Sequence, residues 1–261
     1  MIKTNRTDYD LIISLGGNCS VAQQVRHRGM RICSLPLDWL FMPDEKPLKM
    51  LCRLLVSRFD GFCRYENMVL LDPPFEEYGE FRCKLMDTYS GYRIPHHFTA
   101  PFSDRANYDR KLAVLKRRIE RMYGLASKAK HLLFGLSTVF KFAPELLTDV
   151  HNALSAAFPQ AEIEIVNLQF GAETCEEFDF MDGKVHIARY EREWDDVYDT
   201  QLTAPEWRWL DKLSLTGRPS PDCLRRRNLK LKWMFKLWFA LGKYLERHNV
   251  ACANMRFNRW D

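Results

Sequence analysis

The sequence has no pair of cysteines spaced C-x-x-C and no Cys/His group at zinc-ligand spacing, which excludes a zinc ribbon, a zinc finger and a dithiol redox motif. It has neither G-x-G-x-x-G nor G-x-x-x-x-G-K-[ST], so both common phosphate-cradling loops are missing. No metal or organic cofactor is expected. No run of about 18 apolar residues occurs, so no transmembrane helix is expected. The opening residues, MIKTNRTDYDLIISLGG, offer one short apolar run, LIISL, where a signal peptide would need a longer core. A cytoplasmic setting follows as the expectation, with the eight cysteines reduced and mostly packed as small hydrophobes. Glycine and proline number only 12 each in 261 residues, which excludes collagen-like and low-complexity chains.

What is present is globular. Hydrophobic residues make up 46% and aromatics 13%, too apolar and aromatic-rich for a disordered chain. No linker or repeat divides the sequence, so one domain over residues 1–261 is expected. The net charge of +5 is unevenly spread. Residues 218–261 hold eleven Lys/Arg against three Asp/Glu, a surplus of +8 that leaves −3 for the rest. A basic tail on an acidic body does not read as a nucleic-acid-binding domain, and no nucleic-acid module motif occurs.

Apolar runs without alternation, at Leu11–Leu15, His131–Leu136, Ile163–Leu168 and Lys184–Tyr190, read as buried strands. Helical spacing falls between them, at Val21–Met30, Lys46–Phe59, Asp104–Met122 and Pro144–Phe158, and again at Pro205–Leu215 and Asp222–His248. Residues 34–45 read as an ordered, proline-punctuated loop, and Phe81–Phe98 as a hairpin turning at Tyr89–Tyr92. Strands alternating with helices predict an α/β fold. The expected architecture is a mostly parallel central sheet flanked by helices, with a small hairpin insertion and a C-terminal amphipathic helix.

The strongest chemical signal is SLGGNCS, Ser14–Ser20. A strand ends, a glycine pair turns the chain, and a helix begins, with Cys19 at its N-terminus. A thiol there lies in the positive end of the helix dipole, which favours the thiolate. Backbone amides around Gly16, Gly17, Asn18 and Ser20 are candidate oxyanion donors. The plainer alternative is a buried cysteine in a packed turn. A nucleophilic thiol needs a base, and His96 and His97 end a predicted strand. Adjacent strand residues face opposite ways, so at most one of them can face Cys19. Asp38, Asp87 and Asn167, polar residues in or beside apolar runs, are candidates to orient the imidazole. In the last helix Arg225, Lys232, Lys236, Lys243 and Arg247 share one face, opposite Met234, Phe235 and Trp238. Such a helix either docks on the body or makes a peripheral contact with an anionic membrane through Arg225–Arg247.

The run LIISLGGNCSVAQQVRHRGMRICSLPLDWLF resembles the signature of a bacterial family described as papain-like cysteine peptidases, a domain of unknown function. The family pattern is a strand ending S-L-G, a Cys shortly after it, a helix, and a Ser-x-Pro-Phe-Asp-Trp segment. Here that segment is Ser34-Leu35-Pro36-Leu37-Asp38-Trp39, with Leu37 in place of the usual Phe. Tyr92–Phe98 matches a later His-containing segment. The resemblance implies Cys19 as nucleophile, His96 or His97 as base and Asn167 as a third member, acting on a peptide or other acyl substrate. The surroundings of Cys19 differ from the C-G-[SA]-C-W type of true papain-like peptidases.

Two other readings stand beside it. The strand, G-N-C turn and helix are also similar to the first block of SGNH-type hydrolases, with Cys for Ser, and to a capsule-biosynthesis family. An acyl- or glycan-modifying protein of surface-polysaccharide synthesis is therefore the alternative, although no D-x-x-H follows near the C-terminus. A non-catalytic binding protein that keeps the turn for packing is the third.

Overall fold

In the computed structural model, residues 2–77, 79–191 and 205–216 are described. All fall within one unit, Met1–Thr216, and the helix expected over 222–248 lies outside the described residues. In chain order the elements are β1 (Asp8–Tyr9), β2 (Leu11–Ser14), α1 (Ser20–His27), α2 (Lys46–Val56), β3 (Met68–Leu70), β4 (Phe75–Glu77), β5 (Glu80–Asp87), β6 (Arg93–Thr99), α3 (Arg105–Ala126), β7 (His131–Thr138), α4 (Glu145–Ala157), β8 (Glu162–Phe170), β9 (Glu176–Phe180), β10 (Val185–Tyr190) and β11 (Ser214–Leu215). The segment Pro205–Lys212 is a 3-10 helix rather than the expected α-helix.

The four unalternating runs become the parallel core of a five-stranded sheet, in the order β2-β7-β8-β10-β9. A strand covered on both faces has no solvent side to mark with polar residues, which is why these runs read as continuous. β9 joins the edge antiparallel, because only Met181–Lys184 separates it from β10 and a parallel crossover needs far more chain. β9 was not expected: in EEFDF three of the five residues are acidic and none is buried, as an edge strand allows.

Register decides what each face packs against. Leu11, Ile13, Leu132, Phe134, Leu136, Ile165 and Ile187 project toward α2, α3 and α4. Ile12, Leu133, Val166, Leu168 and Ala188 project the other way, onto Val21 and Val25 of α1 and onto Trp207 and Trp209. The result is helix, sheet, helix, the α/β sandwich that the alternation predicts.

A second, antiparallel sheet is inserted between α2 and α3, with β5 pairing to β3, β4 and β6. The expected hairpin is its β5–β6 pair. Asp87 closes the turn, accepting from Ser90 Oγ at 2.6 Å and from the amides of Cys63 and Tyr89. This insertion is stitched to the loop after α1, where Phe41 and Arg93 exchange two backbone hydrogen bonds of 2.9 Å.

Candidate active site

The turn after β2 is shaped by two residues with left-handed backbone, Gly16 at φ +87° and Gly17 at φ +88°. A Cβ on Gly17 would lie 2.0 Å from the carbonyl oxygen of Ser137, so glycine is required both by conformation and by space. The turn thus lies directly on the carboxyl end of β7. Gly135, two residues before Ser137 in β7, lets α1 approach: a Cβ there would meet Val21 Cγ1 at 2.6 Å. Asn18 is buried, accepts from the Ser20 amide at 3.0 Å and donates to Ser137 Oγ at 3.1 Å. The Gly17 carbonyl accepts from the Met42 amide at 2.9 Å, and Tyr92 donates its hydroxyl to the Leu15 carbonyl at 3.2 Å. Gly16, Gly17, Asn18, Cys19 and Ser20 therefore sit in one tightly held turn.

Cys19 is the N-cap residue of α1 and is half-buried. Its side chain does not cap the helix; Asn18 bonds the Ser20 amide instead. The first-turn amides of any helix lack acceptors within the helix and carry its positive pole. A sulfur at this point can be stabilised as a thiolate; of the expected oxyanion donors, the Ser20 amide is taken by Asn18 Oδ1 and the Gly16 amide by Ser14 Oγ, which leaves those of Gly17 and Asn18. Cys19 is one of six free thiols among the described residues; of these only Cys63 and Cys83 are buried, fewer than expected.

Asp38 is buried and serves the ordered loop 34–42. It pairs with Arg31 at 2.7 Å and accepts from the Leu35 amide at 2.9 Å. Burial pushes its carboxyl up, opposed by Arg31 and the Leu35 amide. Leu37, Leu40 and Met42 bury the rest of the loop, and Arg31 stacks on Trp39 at 5.1 Å.

The two histidines of β6 face opposite sides, as strand geometry requires. His96 Nδ1 lies 3.1 Å from the Glu77 carboxylate. His97 donates Nε2–H to the Lys111 carbonyl at 2.7 Å, and burial, with Arg118 nearby, lowers its pKa to about 4. Neither imidazole hydrogen-bonds Cys19 in this state. Asn167 is fully buried in β8, paired laterally with Leu136 and Ile187 and so on the sheet face opposite α1. Neither its amide nitrogen nor its oxygen has a partner. The structure thus brings Asp38's loop onto the glycine turn, and it leaves His96, His97 and Asn167 with other surroundings.

Residues 10–171 match the model of a family described as "Putative papain-like cysteine peptidase". The chain belongs to this family. The family segment holds the whole turn, the Asp38 loop, both β6 histidines and Asn167. An uncharacterized protein of Acanthamoeba polyphaga mimivirus is 27% identical over 139 residues, 48% of this chain and 60% of that protein. The chain therefore spans under two thirds of that relative, whose viral source does not bear on the expected bacterial one. No solved structure matches the chain.

One cluster escaped the sequence reading, and it straddles the end of the family segment. His186 of β10 is buried between two carboxylates, Glu164 at 2.5 Å and Asp179 at 2.7 Å. Glu164 also accepts from Tyr9 Oη at 2.6 Å and from the Asn5 amide at 2.8 Å. Burial alone would lower the His186 pKa, but the two carboxylates outweigh it and raise it. The available signal was Glu164 itself, a lone acid inside IEIVNL, whose burial demands a partner.

Proposed function

We propose that this protein is a cysteine hydrolase whose Cys19 attacks the carbonyl carbon of a peptide or other acyl substrate. The observation that carries this is the placement of Cys19: half-exposed, at a helix N-terminus, in a turn that glycine and Asn18 hold against β7. Sγ adds to the carbonyl, and the developing oxyanion is held by the turn amides of Gly17 and Asn18, since those of Gly16 and Ser20 already bond Ser14 Oγ and Asn18 Oδ1. The amine or alcohol leaves with a proton, and water then cleaves the thioester. Of the two histidines, His96 is the better-formed base. Nδ1–H donated to Glu77 leaves Nε2 with the lone pair that proton transfer needs. His97, with a pKa near 4, is too weak a base for a thiol at neutral pH. The hairpin that carries His96 is anchored to the turn, through Tyr92 Oη on the Leu15 carbonyl.

The test is alkylation of each thiol against pH, read by mass spectrometry. Cys19 is expected to react fastest of all thiols at mildly acidic pH. His96→Ala is expected to slow it or abolish acyl turnover, and His97→Ala to leave it. A Cys19 that reacts only after unfolding overturns the proposal and leaves a packed turn.

A further inference from the structure

β2 forms one edge of the five-stranded sheet, and residues of the segment 31–38 lie beside it. This segment meets α3 at Ser34, where two guanidiniums converge from different elements. Arg31 Nη2 donates to Ser34 Oγ at 3.0 Å, and Arg121 Nη1 of α3 reaches the Ser34 carbonyl at 3.4 Å. Arg118, one turn before Arg121 on α3, is close enough to act on Asp38. Positive groups thus gather on an uncharged serine, at a place that has no part in the Cys19 reading.

Much of their hydrogen-bonding capacity is unspent, and it faces solvent. Arg31 also gives Nη2 to Asp38 at 2.7 Å, while Asp38 is buried and takes the Leu35 amide as well. Arg31 Nη1 bonds to nothing among the described residues and is not sealed off from water. Arg121 is half-buried, and no carboxylate pairs with it among the described residues. Its Nε and Nη2 have no hydrogen-bond partner there and also keep accessible surface. Beside it stands the half-buried Cys33, whose thiol burial pushes up and Arg121 draws down. Guanidiniums brought together and partly stripped of water repel one another unless an anion lies between them. A carboxylate offers such an array two oxygens in one plane. A phosphoryl group offers three oxygens and more charge, which suits donors arriving from two elements.

We propose that the surface between Arg31 and Arg121, at Ser34 and Cys33, binds a phosphoryl group, its oxygens accepting from Arg31 Nη1 and from Arg121 Nε and Nη2. The group arrives as free phosphate or as the phosphomonoester of a small molecule.

Cys33 serves as the reporter and the exposed Cys175 as the control. In the full-length protein both thiols would be alkylated with neutral iodoacetamide at neutral pH and constant ionic strength, and read by mass spectrometry. Inorganic phosphate is expected to slow Cys33 saturably and to leave Cys175 unchanged, and acetate to slow neither. Phosphorus NMR reads the same binding directly, as broadening of the phosphate resonance. Arg121→Gln gives up one long hydrogen bond to the fold and is expected to weaken phosphate by about tenfold, with thermal unfolding unchanged. Arg121→Lys keeps the charge without the fork and is expected to fall between. Phenyl phosphate acting at lower concentration than inorganic phosphate assigns a phosphomonoester; equal or weaker action assigns the free ion. Acetate as effective as phosphate, binding that survives in Arg121→Gln, or a phosphate resonance that the protein does not broaden overturns the proposal and leaves two arginines that only hold the loop.

Discussion

At the carboxyl end of the central sheet, Cys19 is placed by backbone: two left-handed glycines, an Asn18 bridge to β7 and the start of a helix. At the amino end, the corresponding space is organised by ionisable side chains, with Tyr9, Glu164, His186 and Asp179 in one hydrogen-bonded row. The first arrangement is insensitive to pH and intolerant of any added atom. The second tolerates changes of shape better than changes of charge. Rigid geometry suits a nucleophile that must be aimed; an ionic row buried at Glu164 and His186 and open to solvent at Asp179 suits a place where a buried charge must be neutralised.

Substitutions at the two ends test that contrast. The largest effect is expected from Gly17→Ala, where strain at positive φ adds to a 2.0 Å clash with the Ser137 carbonyl. A loss of roughly 3–5 kcal/mol is expected from urea unfolding, or failure to fold. Gly171→Ala is the control: φ is +73° but nothing lies within 4 Å, so about 1 kcal/mol is expected. Equal losses at both positions would show that the close approach to β7 contributes nothing.

At the other end, Glu164→Ala strands a buried histidine, a tyrosine hydroxyl and a backbone amide, and roughly 3 kcal/mol is expected. The pH dependence has a definite sign. The folded pKa of His186 is raised above its ordinary 6.5. The stability it contributes is complete below that value and is lost as pH rises through the folded value. His97 runs the other way. Its contribution is present above 6.5 and is lost as pH falls through about 4. Unfolding measured from mildly acidic to mildly alkaline pH is expected to flatten on the alkaline side in His186→Gln and on the acidic side in His97→Gln. An alkaline slope that persists in His186→Gln would remove His186 from the account.

Smaller effects sharpen the picture. Asn18→Ala loses the bond to Ser137 Oγ and the one from the Ser20 amide, costing about 1–2 kcal/mol. Asn167→Leu replaces a buried amide that bonds to nothing with an apolar group of similar size. Stability is expected to hold or rise by about 1 kcal/mol. If acyl turnover falls while thermal stability rises, Asn167 serves the site and not the fold.

The legibility of the chain was uneven for physical reasons. The parallel strands were readable because burial on both faces leaves uninterrupted apolar runs such as HLLFGL. Glu80–Asp87 and Arg93–Thr99 were readable because their turn carries its own signal in Tyr89–Tyr92. Short or edge pieces such as Asp8–Tyr9, Phe75–Glu77 and Glu176–Phe180 were not, since their pairing comes from distant partners and not from local pattern. Lys46 begins its helix as expected, but the helix stops at Val56, where Arg58 and Phe59 turn to positive φ.

By itself the sequence determined the alternation of strands and helices, the glycine turn and the place of Cys19 at a helix start. All three depend on residues adjacent in the chain, through apolar runs, left-handed glycines and capping. Only the tertiary structure decided that Gly17 lies on Ser137, that Asp38 answers Arg31, that His96 turns to Glu77 and His97 to Lys111, and that Glu164 meets His186 and Tyr9. Most of those contacts join residues far apart in sequence. They exist because strand register and buried charge select partners that no local spacing encodes.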